Sequence, residues 1–170
     1  MNTKEINIFT ENIYPDWELD EFVIIQNTRK IVQFYLKSLL GVSCLEGYDF
    51  NTLSFDILFC DSKKTHEINR EYREKDYPAD IITFAIFADD DSKFILDEEI
   101  NLGEIIIALD KVKEEAKKAK VSDNYELYFL IAHGILHLLG FDHQTEEDYN
   151  FVVEVQKKAL LNVGIGEKDE

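Results

Sequence analysis

The chain contains 170 residues, and its 35 acidic and 18 basic side chains give a formal net charge of −17 at pH 7. This length predicts one domain with a substantial core, and the charge excludes a generally basic nucleic-acid-binding protein, because such binding normally depends on Lys and Arg. The two cysteines, Cys44 and Cys60, lie far apart and outside any CxxC pattern. They give no support for a disulfide framework and fit a reducing cytosol.

Hydrophobic spacing predicts an α+β fold, a single domain in which a small mixed sheet of about four strands packs with about five helices. The first half of the chain is predicted to contain a strand at 6–9, a helix at 19–40, a strand at 53–59 and a helix at 62–72. The second half is predicted to contain strands at 81–87 and 103–109, a lysine-rich helix at 111–120, and helices at 123–140 and 145–161. We expect residues 1–165 to form the domain and residues 166–170 an acidic tail.

Three short polar signals mark the ends of the last two helices. Asp123 and Glu126 have the spacing of a capping pair at the start of the first of them. Gly140 is placed to end that helix, since glycine readily adopts the left-handed conformation of a helix stop. Thr145 is placed to cap the final helix, and Ser62 is placed in the same way to cap the helix that runs to about Tyr72.

The N-terminal residues lack the basic segment and apolar run of a signal peptide. The longest apolar stretch, at 127–139, is too short to span a bilayer. We therefore expect a cytoplasmic protein without a membrane partner.

Positive charge is concentrated in two parts of this acidic chain. Residues 111–120 carry five lysines and two glutamates, and residues 63–75 carry three lysines and two arginines. The lysine run is explained by the solvated face of an amphipathic helix. The alternative is a narrow basic channel across an otherwise acidic surface.

Three of the four histidines, His133, His137 and His143, lie within eleven residues. Residues four apart project from the same face of a helix, so the first two imidazoles can reach one cation at a Zn–N distance of about 2.0–2.1 Å. A turn at Gly140 can bring the third imidazole to the same ion. Three protein ligands with one open position are typical of a catalytic zinc site, although three imidazoles also suit copper, nickel and iron.

The alternative is that these histidines are ordinary core residues of a buried helix. That alternative leaves buried ring nitrogens without partners, at a cost of roughly 1–3 kcal/mol each. The spacing also matches the metalloprotease pattern HExxHxxGxxH, except that Gly134 stands where proteases carry the glutamate that deprotonates the bound water. A peptidase mechanism therefore lacks its base, whereas other metal-assisted hydrolysis remains possible.

Three segments together resemble a known family. Residues 133–143 (HGILHLLGFDH), 68–84 (INREYREKDYPADIITF) and 102–107 (LGEIII) are similar, in this order, to the motifs of the YbeY-type endoribonucleases, the bacterial rRNA maturation factors. The resemblance covers residues from about 50 to 160. Ala79, Thr83, Ala85 and Glu104 depart from the family pattern, where threonine, serine, proline and aspartate stand.

The resemblance implies a zincin-like domain with one Zn²⁺ bound by His133, His137 and His143. It implies a single-strand-specific, zinc-dependent endoribonuclease that acts in rRNA maturation, at the 3′ end of 16S rRNA, and in ribosome quality control. The implied partners are rRNA and ribosomal particles or ribosomal proteins. Two other functions stay open: a metal-dependent hydrolase for a non-RNA substrate, and a ribosome-assembly factor whose zinc is structural.

Two further residues are predicted to be catalytic. Arg73 offers a planar guanidinium that can hold two phosphate oxygens, and the resemblance implies that this arginine is needed for cleavage. The alternative for Arg73 is a structural ion pair with Asp76 or Asp80. Glu104 is predicted to lie near the metal as a base or an orienting group, or else to be a solvent-facing strand residue.

Overall fold

The structure is a computed structural model that describes residues 4–142 and 144–168. His143, the predicted third metal ligand, lies outside the described residues, as do Asp169 and Glu170 of the predicted tail. A four-stranded mixed sheet has the order β1-β2-β4-β3, in which β1, β2 and β4 are parallel and β3 is antiparallel to β4. The strands are β1 (Glu5–Asn12), β2 (Thr52–Cys60), β3 (Ile81–Phe84) and β4 (Glu99–Ala108).

Helices cover both faces of this sheet. They are α1 (Glu21–Leu39), α2 (Ser62–Tyr72), α3 (Ile86–Asp89), α4 (Leu109–Ala119), α5 (Asp123–Leu138) and α6 (Glu146–Asn162), with a short 3-10 helix at Leu40–Val42. The α+β fold predicted from the sequence is confirmed. The described residues form six α-helices where about five were expected, since the four-residue α3 was not foreseen.

Helix α5 is the central helix because it is apolar on almost every side. Ten of its residues are buried. One of them, Gly134, lies directly on Ile105 of β4, where an added Cβ would be 3.0 Å from the Ile105 Cδ1 atom. Successive strand residues point to opposite faces, so Ile106 faces away from α5. It packs instead with Ile82 and with Ile68 of α2.

The strand predicted at 81–87 is too long. Strand β3 ends at Phe84, opposite Glu104 of β4, and the chain then turns into α3. This short helix buries Phe87, whose ring packs edge-on against Tyr48 with 5.3 Å between centroids. An apolar run of this length fits either a buried strand or a buried helical turn, so periodicity does not separate them.

Two helix starts also differ from the prediction by one residue. Ser122, not Asp123, caps α5 by accepting a hydrogen bond from the Tyr125 backbone N–H. Asp61, not Ser62, caps α2. Thr145 caps α6 as predicted, with its hydroxyl accepting from the Asp148 N–H at 3.0 Å. Within the described parts of the chain, no helix combines the length and apolar character needed to cross a bilayer.

Candidate metal centre and phosphate-binding cleft

An open cleft of about 440 Å³ lies where β3, the C-terminal half of α5 and the turn after it meet. Its lining mixes imidazole, guanidinium and carboxylate groups with a few apolar side chains: Arg73, Ile81, Thr83, Ala85, Asp89, His133, His137, Gly140, Phe141 and Asp142. Two segments far apart in the chain, the end of α2 and helix α5, therefore bring a guanidinium and two imidazoles to one cavity.

The two histidines of α5 face each other across one helical turn. The distance between the His133 and His137 Nε2 atoms is 2.9 Å, and the ring centroids are 4.5 Å apart. Both side chains are half-buried. The predicted placement on one face of the helix is thus observed, with the two Nε2 atoms within hydrogen-bonding distance of each other.

The outer nitrogen of His133 has a partner that the sequence did not predict. Gln156 of α6 is 1% exposed, and its Oε1 lies 3.3 Å from the His133 Nδ1 atom. Its amide nitrogen donates to the Phe129 carbonyl oxygen at 3.1 Å. A signal for it exists in the sequence, because Gln156 falls on the stripe of α6 that also contains Val152, Ala159 and Leu160, all buried.

The spacing of the His133–His137 pair is compatible with two of the three ligands predicted for a zinc ion. Two nitrogens bound to one tetrahedral zinc lie about 3.3 Å apart, and the observed 2.9 Å requires only a small opening of the pair. Among residues 4–142 and 144–168, no group of three or more His, Cys, Asp or Glu side chains is arranged to hold a metal. The metal prediction therefore depends on His143, outside the described residues, as the third ligand.

Arg73 comes to the same cleft from the end of α2. Its Nη1 donates to the Asn69 Oδ1 at 3.3 Å. Asn69 is fully buried, and its own amide donates to the Tyr77 carbonyl oxygen at 2.8 Å. Because Asn69 and Arg73 are four residues apart at the end of one helix, the buried amide can hold the guanidinium toward the cleft.

The alternative of a structural ion pair for Arg73 is not what the described residues show. Asp76 instead contacts His66 at 2.8 Å and Arg70 at 3.6 Å, and this hydrogen bond from His66 and the charge of Arg70 lower the pKa of Asp76. The Asp80 Oδ1 accepts from the Ile81 N–H at 2.8 Å. Arg73 has no ion pair with any carboxylate in the described parts of the chain.

Glu104 is not brought to the histidines. It lies opposite Asp56 in the register of β2 and β4, on the sheet face that α5 does not cover, and lines a separate groove with Phe9 and Leu58. Burial, and then the charge of Asp56, raise the pKa of Glu104. The catalytic role predicted for Glu104 stays a prediction, with no support from its position.

Gly134 shows why a protease-type glutamate has no place in α5. The glycine is buried against the Ile105 side chain, so any side chain at this position would enter the core between helix and sheet. The cleft would gain no base from it.

The lysine run does not line the cleft. In α4, Lys111 pairs with Glu114 at 3.5 Å, and Lys118 pairs with Glu114 and Glu115 at 3.6 and 3.4 Å. Such pairs within one helix are typical of a solvated surface. The positions of these lysines therefore favour the solvated-face interpretation over the channel.

Two carboxyl groups near the starts of α5 and β3 have raised pKa values. Glu126, two turns before His133 on α5, has its pKa raised to about 7 by burial and by the charges of Asp80 and Glu115. Burial also raises the pKa of Asp80. The hydrogen bond from the Ile81 N–H and the electrostatic interaction with His133 lower this pKa, but burial has the larger effect. Both carboxyl groups therefore keep their protons to a higher pH than exposed carboxyl groups do.

We expect Glu126→Gln to make the protein more stable above pH 7. The folded state holds the Glu126 proton up to about pH 7, whereas the unfolded chain releases it near the ordinary glutamate value of about 4.3. Stability is therefore lost as pH rises between these values. The neutral glutamine removes that loss, which is on the order of 1 kcal/mol because solvent screens this half-buried carboxyl group. Denaturant unfolding at pH 5 and pH 8 measures it.

Glu71→Gln is the matched control, because Glu71 is exposed at the end of α2. It removes the same charge from the same acidic protein without changing a buried carboxyl group. Equal stabilisation by both variants at pH 8 would mean that general charge repulsion, and not burial of Glu126, causes the effect.

Comparison with solved structures first places the fold. The solution structure of a Thermotoga maritima protein matches with a TM-score of 0.57 and 23% identity, and the match covers 93% of this chain and 88% of that one. This likeness shows that both chains share one α+β fold.

Comparison with protein families then places the chain. A family model described as endoribonuclease YbeY matches residues 16–164. Endoribonuclease YbeY of Fusobacterium nucleatum is 33% identical over 164 residues, which cover 96% of this chain and 91% of that protein. The Bacillus cereus protein of the same name is 35% identical over 148 residues, covering 84% and 95% of the two chains. The chain belongs to the endoribonuclease YbeY family, which confirms the resemblance inferred from the three motifs.

Proposed function

We propose that this protein is a zinc-dependent endoribonuclease that cleaves single-stranded RNA. The observation that carries the proposal is the presence of the His133–His137 pair and Arg73 on the walls of one open cleft. Imidazoles supply metal ligands, and an arginine held by a buried amide supplies a phosphate contact. Membership of the endoribonuclease YbeY family supports the choice of RNA over other phosphodiesters.

Each side chain then has a distinct part in the reaction. Zinc held by His133, His137 and His143 would polarise a phosphoryl oxygen or activate a water molecule. Arg73 binds the scissile phosphate through two N–H groups and stabilises the negative charge that develops on it. Asn69 keeps the guanidinium in place through the 3.3 Å hydrogen bond. Whether water or the RNA 2′-hydroxyl attacks is decided by product analysis, since a 2′,3′-cyclic phosphate end requires the hydroxyl.

The biological setting follows from the family. We propose that the substrate is rRNA, with processing of the 16S 3′ end and ribosome quality control as the roles, in the cytoplasm and in contact with ribosomal particles or proteins. A hydrolase of small amides or peptides is disfavoured, because Gly134 leaves no room for the protease base. A pure assembly factor with a structural zinc remains the competing function. An open cleft with an arginine in its wall favours the enzyme.

We expect Arg73→Ala to reduce cleavage of a single-stranded RNA by about 100-fold or more. The negative charge that develops on the phosphate in the transition state then loses the hydrogen bonds from the guanidinium. Arg73→Lys should restore only part of the activity, since an ammonium cannot form the paired contacts of a guanidinium. Zinc content should be unchanged in both. Rates on a fluorescently labelled RNA, measured on protein purified with and without added zinc, test the expectation.

Arg70→Ala is the matched control. Arg70 lies on the same helix and is exposed, but it pairs with Asp76 and does not line the cleft. It should keep the parent rate. If Arg73→Ala cleaves as fast as the parent, the cleft is not the RNA-cleaving site. If zinc is bound and no preparation cleaves RNA, the assembly-factor function is favoured instead.

A further inference from the structure

We propose that Gln156 is a positioning residue that decides which ring nitrogen of His133 carries the proton and which one serves as the metal ligand. The inference deepens the proposed function and rests on it, because it concerns the ligand set of that metal site. Gln156 is nine-tenths or more buried and lies on α6, 23 residues after His133. It does not line the cleft, so its effect must pass through the histidine.

The orientation of the Gln156 amide follows from its second partner. The Phe129 carbonyl oxygen can only accept a hydrogen bond, so the group 3.1 Å from it is the amide NH₂. The amide oxygen is then the atom 3.3 Å from the His133 Nδ1. Since that oxygen can also only accept, His133 must carry its proton on Nδ1.

A proton on Nδ1 leaves the other ring nitrogen of neutral His133 as an acceptor. That atom, Nε2, is the one that lies 2.9 Å from the His137 Nε2 and points into the space between the two rings. A metal ligand needs this bare lone pair. Without Gln156, the proton can move to Nε2, and metal binding must first displace it.

The burial of Gln156 supports a role beyond packing. Its neighbours on the same stripe of α6 are apolar: Val152, Ala159 and Leu160. A buried amide is costly unless all its polar atoms are bonded, and both ends of this one are bonded. An apolar residue would fill the position more simply, but it would leave the Nδ1 proton of His133 without this acceptor.

The test compares Gln156→Met, which keeps the length but loses the acceptor, with Gln156→Glu, which keeps an acceptor. Val152→Ala is the packing control, because Val152 is buried one turn earlier on the same helix. Zinc affinity is measured by competition with a chromophoric chelator in the absence of RNA. The ring protonation of His133 is read in the metal-free protein from two-bond ¹⁵N–¹H spectra.

We expect Gln156→Met to weaken zinc binding by about 10–100-fold, the usual effect of losing a hydrogen-bond partner of a metal-bound histidine. Its His133 signals should change from the Nδ1–H form to a mixture. Gln156→Glu should retain both the affinity and the Nδ1–H form, and Val152→Ala should lose stability alone.

The inference is overturned if Gln156→Met leaves the Nδ1–H form of His133 intact. It is also overturned if Val152→Ala weakens zinc binding as much as Gln156→Met, since packing would then explain the effect. Failure of the proposed function gives a different result. In that case the parent itself binds no zinc, while the ring spectra still show whether Gln156 sets the protonation of His133.

Discussion

Replacing His137 by alanine is expected to abolish measurable RNA cleavage and to weaken zinc binding by at least about 100-fold, more than the usual loss of an outer hydrogen-bond partner. The His137 Nε2 lies 2.9 Å from the same nitrogen of His133, so its removal takes away half of the imidazole pair. The single histidine that remains on α5 provides one nitrogen ligand where the parent provides two, so the ion is bound more weakly. Zinc content by atomic emission, together with cleavage rates on labelled RNA, measures both effects.

His66→Ala is the matched control for this substitution. His66 is the histidine among the described residues that does not line the cleft, and it is hydrogen-bonded to Asp76 at 2.8 Å on the surface of α2. It should retain its zinc and its activity. If His137→Ala cleaves RNA like the parent, either a contaminating nuclease is responsible or the imidazole pair is not part of the active site.

Gly103→Ala is expected to destabilise the fold by about 3 kcal/mol or more, because two separate costs add. Gly103 has a φ of +131°, a conformation that residues with a side chain rarely adopt. An added Cβ would also lie 1.9 Å from the Phe84 carbonyl oxygen, a backbone atom of β3 that cannot move without breaking the β3–β4 pairing. Denaturant unfolding of the purified variant measures the loss.

Gly47→Ala separates these two costs. Gly47 has a φ of +83°, but an added Cβ there would meet nothing within 4 Å. It should cost only about 1–2 kcal/mol, the penalty of the left-handed conformation. Equal losses for the two variants would show that β3 can shift away from Gly103, and that the close approach is not what fixes the end of this strand. Because Thr83 and Ala85 of the cleft flank Phe84, a shift of β3 would also change the site.

Two parts of the site could be predicted from the sequence: the histidine pair on one helix and the arginine of one motif. His133 and His137 are four residues apart, and a helix places such residues on one face regardless of what surrounds it. Arg73 was predicted because its type suits phosphate and because it lies in a motif that resembles the family. The observed cleft brings these side chains together, and their roles as metal ligands and phosphate contact stay predictions.

Predictions that depended on a strand face or on contacts between distant segments were less successful. Glu104 belongs to a motif, yet its side chain lies on the sheet face opposite α5. A strand exposes alternate residues to opposite faces, so a shift of one residue in register reverses every position. The end of the strand predicted at 81–87 could not be predicted either, because the pairing with β4 is what ends β3 at Phe84.

The sequence by itself determined the α+β class and the placement of two imidazoles on one helical face, because local periodicity and residue spacing carry that information. The family was inferred from the resemblance of three motifs. Only the tertiary structure decided that Gln156 of α6 meets His133, that Asn69 holds Arg73 toward the same cleft, and that Ile105 fills the place of a protease glutamate. The first and third of these contacts join α5 to α6 and to β4, and the second orients the end of α2 toward the cleft. The packing of apolar faces brings such segments together, and spacing along the chain does not encode which polar atoms then meet.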